Sequence, residues 1–297
     1  MGKKIGRFLG VVLLIFLLWY FFLKPHDYVV RFKVKALPGT ISQTIKFWGN
    51  QLEGNEFLGQ NDLLNLKHRI KFNDSTYTYH WKIESQNDSI SKVKVFVTDD
   101  DHSLANRLAV PFSETDFEKR TKKTVKEFTT VLKDHLQSFK VTITGKEEIS
   151  SKYCACFSLK GTQRQKARGM MEYYSLLSSI MAQKNIVLDG TPLLKVGKWN
   201  MQKDSIYYNF CFPVIKSESL PKREGLSYIQ IEKQAAIRAV YNGNYITSDR
   251  AWYALVEYAK KNNIPINQKP LEIFHNNPNM GGDDLLWETE VFMPIRD

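Results

Sequence analysis

Cysteine is scarce in this 297-residue chain: there are three, Cys154, Cys156 and Cys211, and no CxxC pair. That excludes a disulfide framework and a zinc knuckle. Cys154 and Cys156 stand at strand spacing, as small core residues do. An exported body would allow one disulfide to Cys211 without requiring it. Histidine is also sparse, six residues with none at ligand spacing. No phosphate loop, dinucleotide fingerprint or Ser-His-Asp arrangement is present. "DDDH" at Asp99 to His102 reads as a solvated turn after a strand, because nothing nearby completes a metal site. No cofactor and no metal are expected.

Arginine-rich runs are missing too. The formal charge of +11 comes from dispersed lysines, with no aromatic–basic platform beside them. It reads as a solvated basic surface, not a nucleic-acid face. No nucleic acid is expected as a partner; an anionic lipid surface is the more natural neighbour.

One long hydrophobic run is present, uninterrupted from Phe8 to Leu23 and preceded by Lys3, Lys4 and Arg7. Trp19 and Tyr20 sit near its far end, as membrane-interface residues do. No small-residue cleavage site follows, so residues 1–26 are read as an uncleaved single-pass anchor. The basic start favours an exported body, but Lys24, Arg31, Lys33 and Lys35 weaken that bias.

Beyond the anchor the pattern is α+β. "YVVRFKVKA" alternates as a strand, and Ile41, Ile45, Trp48 and Leu52 are spaced for one helical face. "HRIKFND", "TYTYHWKIES" and "KVKVFVTD" read as strands, and "SLANRLAVPF" as another. A long helix is expected from Ser113, with Asp116 in a capping-box-like position. Its apolar stripe runs through Phe117, Thr121, Val125, Phe128, Leu132, Leu136 and Phe139. This order, with the helix entry "VKALPGTISQTIKFW", resembles the START-like (SRPBCC) family, a helix-grip fold. The resemblance places that domain at 27–140 and implies a cavity under the long helix. It carries over no catalytic residue.

The rest of the chain contains an internal repeat. "KNIVLDGTPL" and "NNIPINQKPL" align without a gap, pairing Asn185 with Asn263 and Pro192 with Pro270. The offset is 78 (263 − 185; 270 − 192). Each copy reads strand, helix, then strands ending in proline, over about 148–215 and 226–297. Pro213 and Pro294 are offset by 81 (294 − 213), so the second copy carries a three-residue insertion. A cleft is expected between the copies.

"YNGNY", the helix "AWYALVEYAKKNNI", "PLEIF", Pro278 and the closing "TEVFMPI" resemble the GyrI-like small-molecule-binding domain, also the AraC-type effector-binding domain. Tyr241, Gly243 and Tyr245 match its turn, with tyrosine replacing the common histidine. Trp252 matches the helix aromatic; Glu290, Pro294 and Ile295 match its last strand. The domain is placed at 141–297. The resemblance implies a bulky aromatic, amphipathic or cationic ligand between the repeats, with Glu290 facing it. In the first repeat Asn209 takes the place of Glu290.

Five residues are therefore candidates for ligand contact. Glu290 is read as the ligand-facing acid, against a solvated edge. Tyr245 and Trp252 are weighed against plain core roles. Tyr208 enters by repeat symmetry, and Phe274 as a packing residue at the cleft. Glu288 is read as a surface residue. Three functions stay open. One is a membrane-anchored small-molecule-binding protein. A second is a hydrolase of strained, cyclopropane-type electrophiles, with Glu290 assisting water. A third is a non-catalytic envelope interaction protein. The absence of a polar constellation favours binding over chemistry.

Overall fold

The computed structural model describes residues 2–87, 89–277 and 280–296; Gly2, Lys3 and Asn61 are described for the backbone alone. Pro278, used in the resemblance, lies outside the described residues. The chain divides into two compact units, Met1–Lys133 and Asp134–Asp297. Each is a mixed helix-and-sheet unit built on one antiparallel sheet.

The chain starts with α1 (Gly2–Leu18), continued by a π-helical turn over Trp19–Leu23. The stretch Lys4–Leu23 is long and apolar enough to cross a membrane, by length and composition, as signal sequences also are. Its side chains face outward. Arg107 ties its end to the unit, donating to the Phe21 carbonyl at 2.8 Å and to Asp27 Oδ1 at 2.6 Å.

Strand β1 (Tyr28–Val34) leads to α2 (Pro38–Gly49), which opens with proline in its first turn, where the missing N–H costs nothing. Strands β2 (Asn55–Asp62), β3 (Asn65–Lys71), β4 (Thr76–Ser85) and β5 (Ser91–Asp99) complete the sheet, in the order β1-β5-β4-β3-β2. β2 was not legible in the pattern. "SLANRLAVPF", expected as a strand, instead forms the short helix α3 (Ser103–Ala109). Side-chain contacts decide this: Asp27, distant in sequence, accepts from the Ser103 hydroxyl at 2.7 Å and from Arg107. Asp99, buried instead of solvated, accepts from the N–H groups of Asp101 and His102 at 3.1 and 3.0 Å and from the Asn106 amide at 2.8 Å.

The long helix α4 (Asp116–Gln137) begins three residues later than expected. Its cap is Thr115, whose hydroxyl accepts from the Glu118 N–H at 3.1 Å. Phe139 is not in the helix. Under α4, where the resemblance implied a cavity, aromatic side chains pack against one another. Phe128 packs against Trp81 (4.7 Å between centroids) and Trp48 (5.4 Å). His68 lies beneath them, accepting from the Trp81 indole N–H at 2.8 Å.

The C-terminal unit holds β6 (Phe139–Ile149), β7 (Lys152–Gly161), α5 (Lys166–Gln183), β8 (Leu193–Asn200), β9 (Ser205–Pro213), β10 (Leu226–Ile231), β11 (Gln234–Gly243), α6 (Arg250–Lys261), β12 (Leu271–Phe274) and β13 (Glu288–Pro294). The sheet order is β10-β7-β9-β8-β12-β13-β11-β6. The triplets β7-β9-β8 and β12-β13-β11 therefore mirror each other about the β8–β12 seam.

The bonding repeats at the sequence offsets. The Val196 N–H donates to Pro270 O at 2.9 Å, and the Phe274 N–H to Pro192 O at 3.0 Å. These two bonds exchange under the offset of 78. Asp189 and Asn267 donate to Pro213 and Pro294 in the same manner. Asn185 and Asn263 both adopt the left-handed region, at φ 50° and 52°. Each ends its helix identically: Ile186 and Ile264 donate to Met181 and Ala259, both at 2.9 Å. That is the Schellman stop, for which asparagine substitutes where glycine is absent.

Candidate functional site

Alternation sorts the C-terminal sheet into two faces. Leu194, Glu272, Thr289 and Val291 point toward α5 and α6. Asn209, Cys211, Leu271, Glu290 and Phe292 point the other way. That far face has its own apolar cluster, including Cys154, Cys156, Cys211 and Leu271. Cys156 and Cys211 are cross-strand partners joined in a disulfide, and Cys154 is free and buried.

On the helix face a cavity of about 170 Å³ opens between the repeats. The first repeat contributes Ala167, Met170, Met171 and Tyr174 from α5 and Phe210 from β9. The second contributes Tyr245, Phe274 and Trp287, with the amides of Asn244, Asn276 and Asn277. The Tyr245 ring lies 4.9 Å from Phe274 and 5.6 Å from Trp287. Its hydroxyl accepts from the Asn276 N–H at 2.9 Å and reaches the Asn276 carbonyl at 3.1 Å. Burial pushes this phenol up to about 12. Tyr245 is therefore a fixed wall, not a base.

The turn preceding it needs Gly243, which has φ 149°. A Cβ there would meet the Tyr241 hydroxyl at 2.7 Å and Phe139 at 2.8 Å. Tyr241 is fully buried and stacks on Phe139, 5.8 Å away.

Tyr245 and Phe274 thus lie together on the cavity wall; the other three candidates do not. Glu290 is on the opposite face of the sheet. One carboxylate oxygen takes a hydrogen bond from Arg238, and the other lies 3.1 Å from His275 Nε2. Arg238 also pairs with Glu147 at 3.0 Å. Glu288 is half-buried. Tyr208 is buried, its hydroxyl directed at the Lys166 carbonyl at 3.4 Å and packed against Gly169, where a Cβ would collide with it. Burial pushes its phenol up to about 12 as well.

Trp252 marks a second centre, which sequence reasoning missed. Its indole N–H donates to Glu272 Oε1 at 2.7 Å. Lys166 Nζ donates to both oxygens of Glu272, at 2.9 and 3.0 Å, and to Ser248 Oγ. Ser248 Oγ in turn lies 2.9 Å from Glu272 Oε1. The ammonium sits 5.0 Å from the Trp252 ring. Lys166, Ser248, Trp252 and Glu272 are all fully buried. A carboxylate and an ammonium are held together out of water, with hydrogen bonds to the remaining lone pairs.

A second layer surrounds this pair. Gln163 Oε1 accepts from Trp199 at 3.1 Å and from Tyr253 at 3.0 Å, and its amide donates to Asp249 at 2.7 Å. Arg250 pairs with Asp249 at 2.8 Å and donates to His135 Nε2 at 3.1 Å. A signal for Glu272 was present in the sequence. At the offset of 78 its counterpart is Leu194 (272 − 194), and the two are direct cross-strand partners at the seam. The acid unique to one repeat and buried is Glu272, not Glu290. Among the described residues no cluster could hold a metal ion.

No family model matches the chain, and no curated protein matches it. Several solved structures show a partial likeness. The C-terminal domain of EcmrR is 14% identical with a TM-score of 0.41, covering 54% of this chain and 98% of its own. SAV2435 bound to tetraphenylphosphonium is 12% identical with a TM-score of 0.38, covering 52% and 94%. A hydrolase encoded by lin2189 from Listeria innocua is 11% identical with a TM-score of 0.33, covering 54% and 92%. At such identities and scores these likenesses carry no argument about what this chain binds or does.

Proposed function

We propose that the protein is a membrane-anchored small-molecule-binding protein. Its C-terminal unit is a duplicated GyrI-like domain, and its N-terminal unit a START-like domain serving as a packed spacer. The ligand is an uncharged aromatic or amphipathic molecule, held in the cavity between Met170, Met171, Tyr174, Tyr245, Phe274 and Trp287.

One observation carries this reading. The cavity is walled by apolar and aromatic side chains, and two acids of the same sheet already have internal partners. Lys166 occupies Glu272, and Arg238 with His275 occupies Glu290. A ligand cation would find no free carboxylate among the described lining residues. Burying it unpaired would cost several kcal/mol. Asn244 is held by Asp284 and the Ile246 N–H, and Asn276 Oδ1 by the Glu288 N–H; the Asn276 amide nitrogen can donate to a neutral polar tip. An apolar cavity of roughly 150 Å³ is enough to admit benzene, so the volume here suits one substituted ring. The described lining also offers no carboxylate, imidazole, thiol or amine for acid–base or nucleophilic work, and so binding is proposed instead of hydrolysis.

The apolar stretch ending at Leu23 supports the anchor. The Cys156–Cys211 disulfide supports a body on an oxidising side of the membrane. The test uses an isosteric one-ring pair, ethylbenzene and benzylammonium, on the full chain in nanodiscs. The variant Met171→Trp is run alongside so that partition into lipid cancels. Met171 is exposed at the cavity mouth, so its replacement closes the entrance without disturbing the core. The neutral compound should raise the unfolding temperature of the wild type and leave Met171→Trp unmoved. A preference for the ammonium, or equal shifts in both proteins, would overturn the assignment.

A further inference from the structure

The outer face of the N-terminal sheet, turned away from Trp81 and Val95, carries a charge arrangement that folding does not require. Arg31, Lys94 and Lys82 stand directly opposite one another on β1, β5 and β4. Lys33 and Lys92 form a second like-charged pair beside them. Like charges directly opposed across a sheet are destabilising. Glu84 relieves part of this, lying 2.8 Å from Lys94 and 3.7 Å from Lys82. Lys67 has no ion-pair partner among the described residues.

A shallow basin of about 370 Å³ lies in this face, lined by Pro25, His26, Lys67, Thr78, His80, Lys82, Phe96 and Thr98. Its floor is one cross-strand row, Phe96–His80–Lys67. The His26 ring packs edge-on to Phe96 at 4.8 Å. Burial, then the fields of Lys67 and Lys82, lower the pKa of His80. The lining holds Lys67 and Lys82 and no acid; at its margin Glu84 lies 3.7 Å from Lys82 and Asp100 accepts from the Thr78 hydroxyl at 2.8 Å, so the charge left uncompensated is chiefly that of Lys67.

Its position in the chain identifies the partner. The apolar stretch ends at Leu23, and Pro25 already lines the basin. Two residues of chain reach at most about 7 Å. The headgroup layer outside a hydrocarbon core is roughly 5–8 Å deep on each side. If the stretch spans a membrane, the basin therefore lies at phosphate depth.

We propose that this basin binds the phosphate of an anionic phospholipid headgroup. The lysines would supply charge and hydrogen bonds, and Phe96 an apolar rim. The inference rests on the anchor reading, and the experiment separates the two. The full chain is reconstituted in nanodiscs of mixed phosphatidylcholine and phosphatidylglycerol, and the lipid retained on release is identified by native mass spectrometry. Phosphatidylglycerol should be enriched. Enrichment should fall roughly fivefold for each lysine removed in Lys67→Gln and Lys82→Gln. It should persist in Lys184→Gln/Lys222→Gln, which makes the same change of charge at two exposed residues of the C-terminal unit. Thermal unfolding checks that the basin variants fold; relief of repulsion should leave them at least as stable.

A chain that resists alkaline carbonate extraction yet shows no phosphatidylglycerol preference would overturn the headgroup site and leave the anchor standing. So would a preference that survives both basin substitutions. Extraction by carbonate would remove the anchor reading, and this inference with it.

Discussion

The two sides of the β8–β12 seam are built from equivalent positions and do opposite things. On one side Asn244, Met170, Tyr174, Phe274 and Asn277 line an open cavity. Shifted by 78 residues, the same positions are Lys166, Ser248, Trp252, Val196 and Trp199. These are buried, and most belong to the polar network. One half-site is thus open and apolar, while its counterpart is closed by an internal salt bridge. Lys166 from the first repeat reaches Glu272 of the second, so the plug also clamps the repeats together. A duplicated module supplies two equivalent positions for a pocket; here divergence at Leu194/Glu272 and Asn244/Lys166 leaves one of them open.

The sharpest break of that asymmetry removes the plug. Lys166→Met leaves Glu272 buried without its cation, and should cost about 3–5 kcal/mol. Adding Glu272→Leu installs the residue that the first repeat has at this position. The double variant should recover most of the loss, short of the hydrogen bonds that Trp252 and Ser248 then lack. Denaturant unfolding of single and double variants reads the coupling. A double variant as unstable as Lys166→Met would mean that the network does more than neutralise one acid.

How far this was legible varies by region. Strong alternation placed β3, β4 and β5, helical spacing placed α2 and the body of α4, and the internal repeat placed α5 and α6. "SLANRLAVPF" failed because seven residues carry too little periodicity; Asp27 holds Ser103 and Arg107 of α3 through contacts that no local window contains. The edge strands β6 and β10 were unread because much of their length is exposed or half-buried. At the site, Tyr245 and Phe274 were placed by motif. Glu290 was favoured because the closing strand carried a matched acid, yet alternation alone cannot say which face of a two-sided sheet carries the open cavity. Comparing the repeats position by position at "PLLKV" and "PLEIF" was the missing step.

The closed half should also respond to acid, and the open half should not. Burial, with Arg250 beside it, pushes His135 down to about 4. The unfolded chain takes up this proton first, near the ordinary value of about 6.5. The contribution of His135 is therefore present above pH 6.5 and is lost as pH falls toward 4. The full loss is on the order of 2–3 kcal/mol. Buried His68, likewise pushed down to about 4, gives the N-terminal unit the same sign and window. His135→Gln keeps an acceptor for Arg250 without a titrating proton. Its stability should flatten relative to wild type between pH 6.5 and 4, measured by unfolding at several pH values. Parallel curves would show that burial does not depress the protonation of His135 in the folded chain.

The smallest expected effect tests whether the repeats remain alike away from the seam. Asn185 and Asn263 stop their helices in the same left-handed conformation, with the same pair of closing hydrogen bonds. Glycine adopts that conformation without the strain of a Cβ, against a loss of chain entropy in the unfolded state. Asn185→Gly and Asn263→Gly should each change stability by less than about 1 kcal/mol, in the same direction. Alanine at either position should cost about 1 kcal/mol. Differential scanning calorimetry of the four variants resolves this. Opposite signs at the two asparagines would mean that divergence has reached the helix ends, and that the contrast between open and closed halves extends beyond the residues lining them.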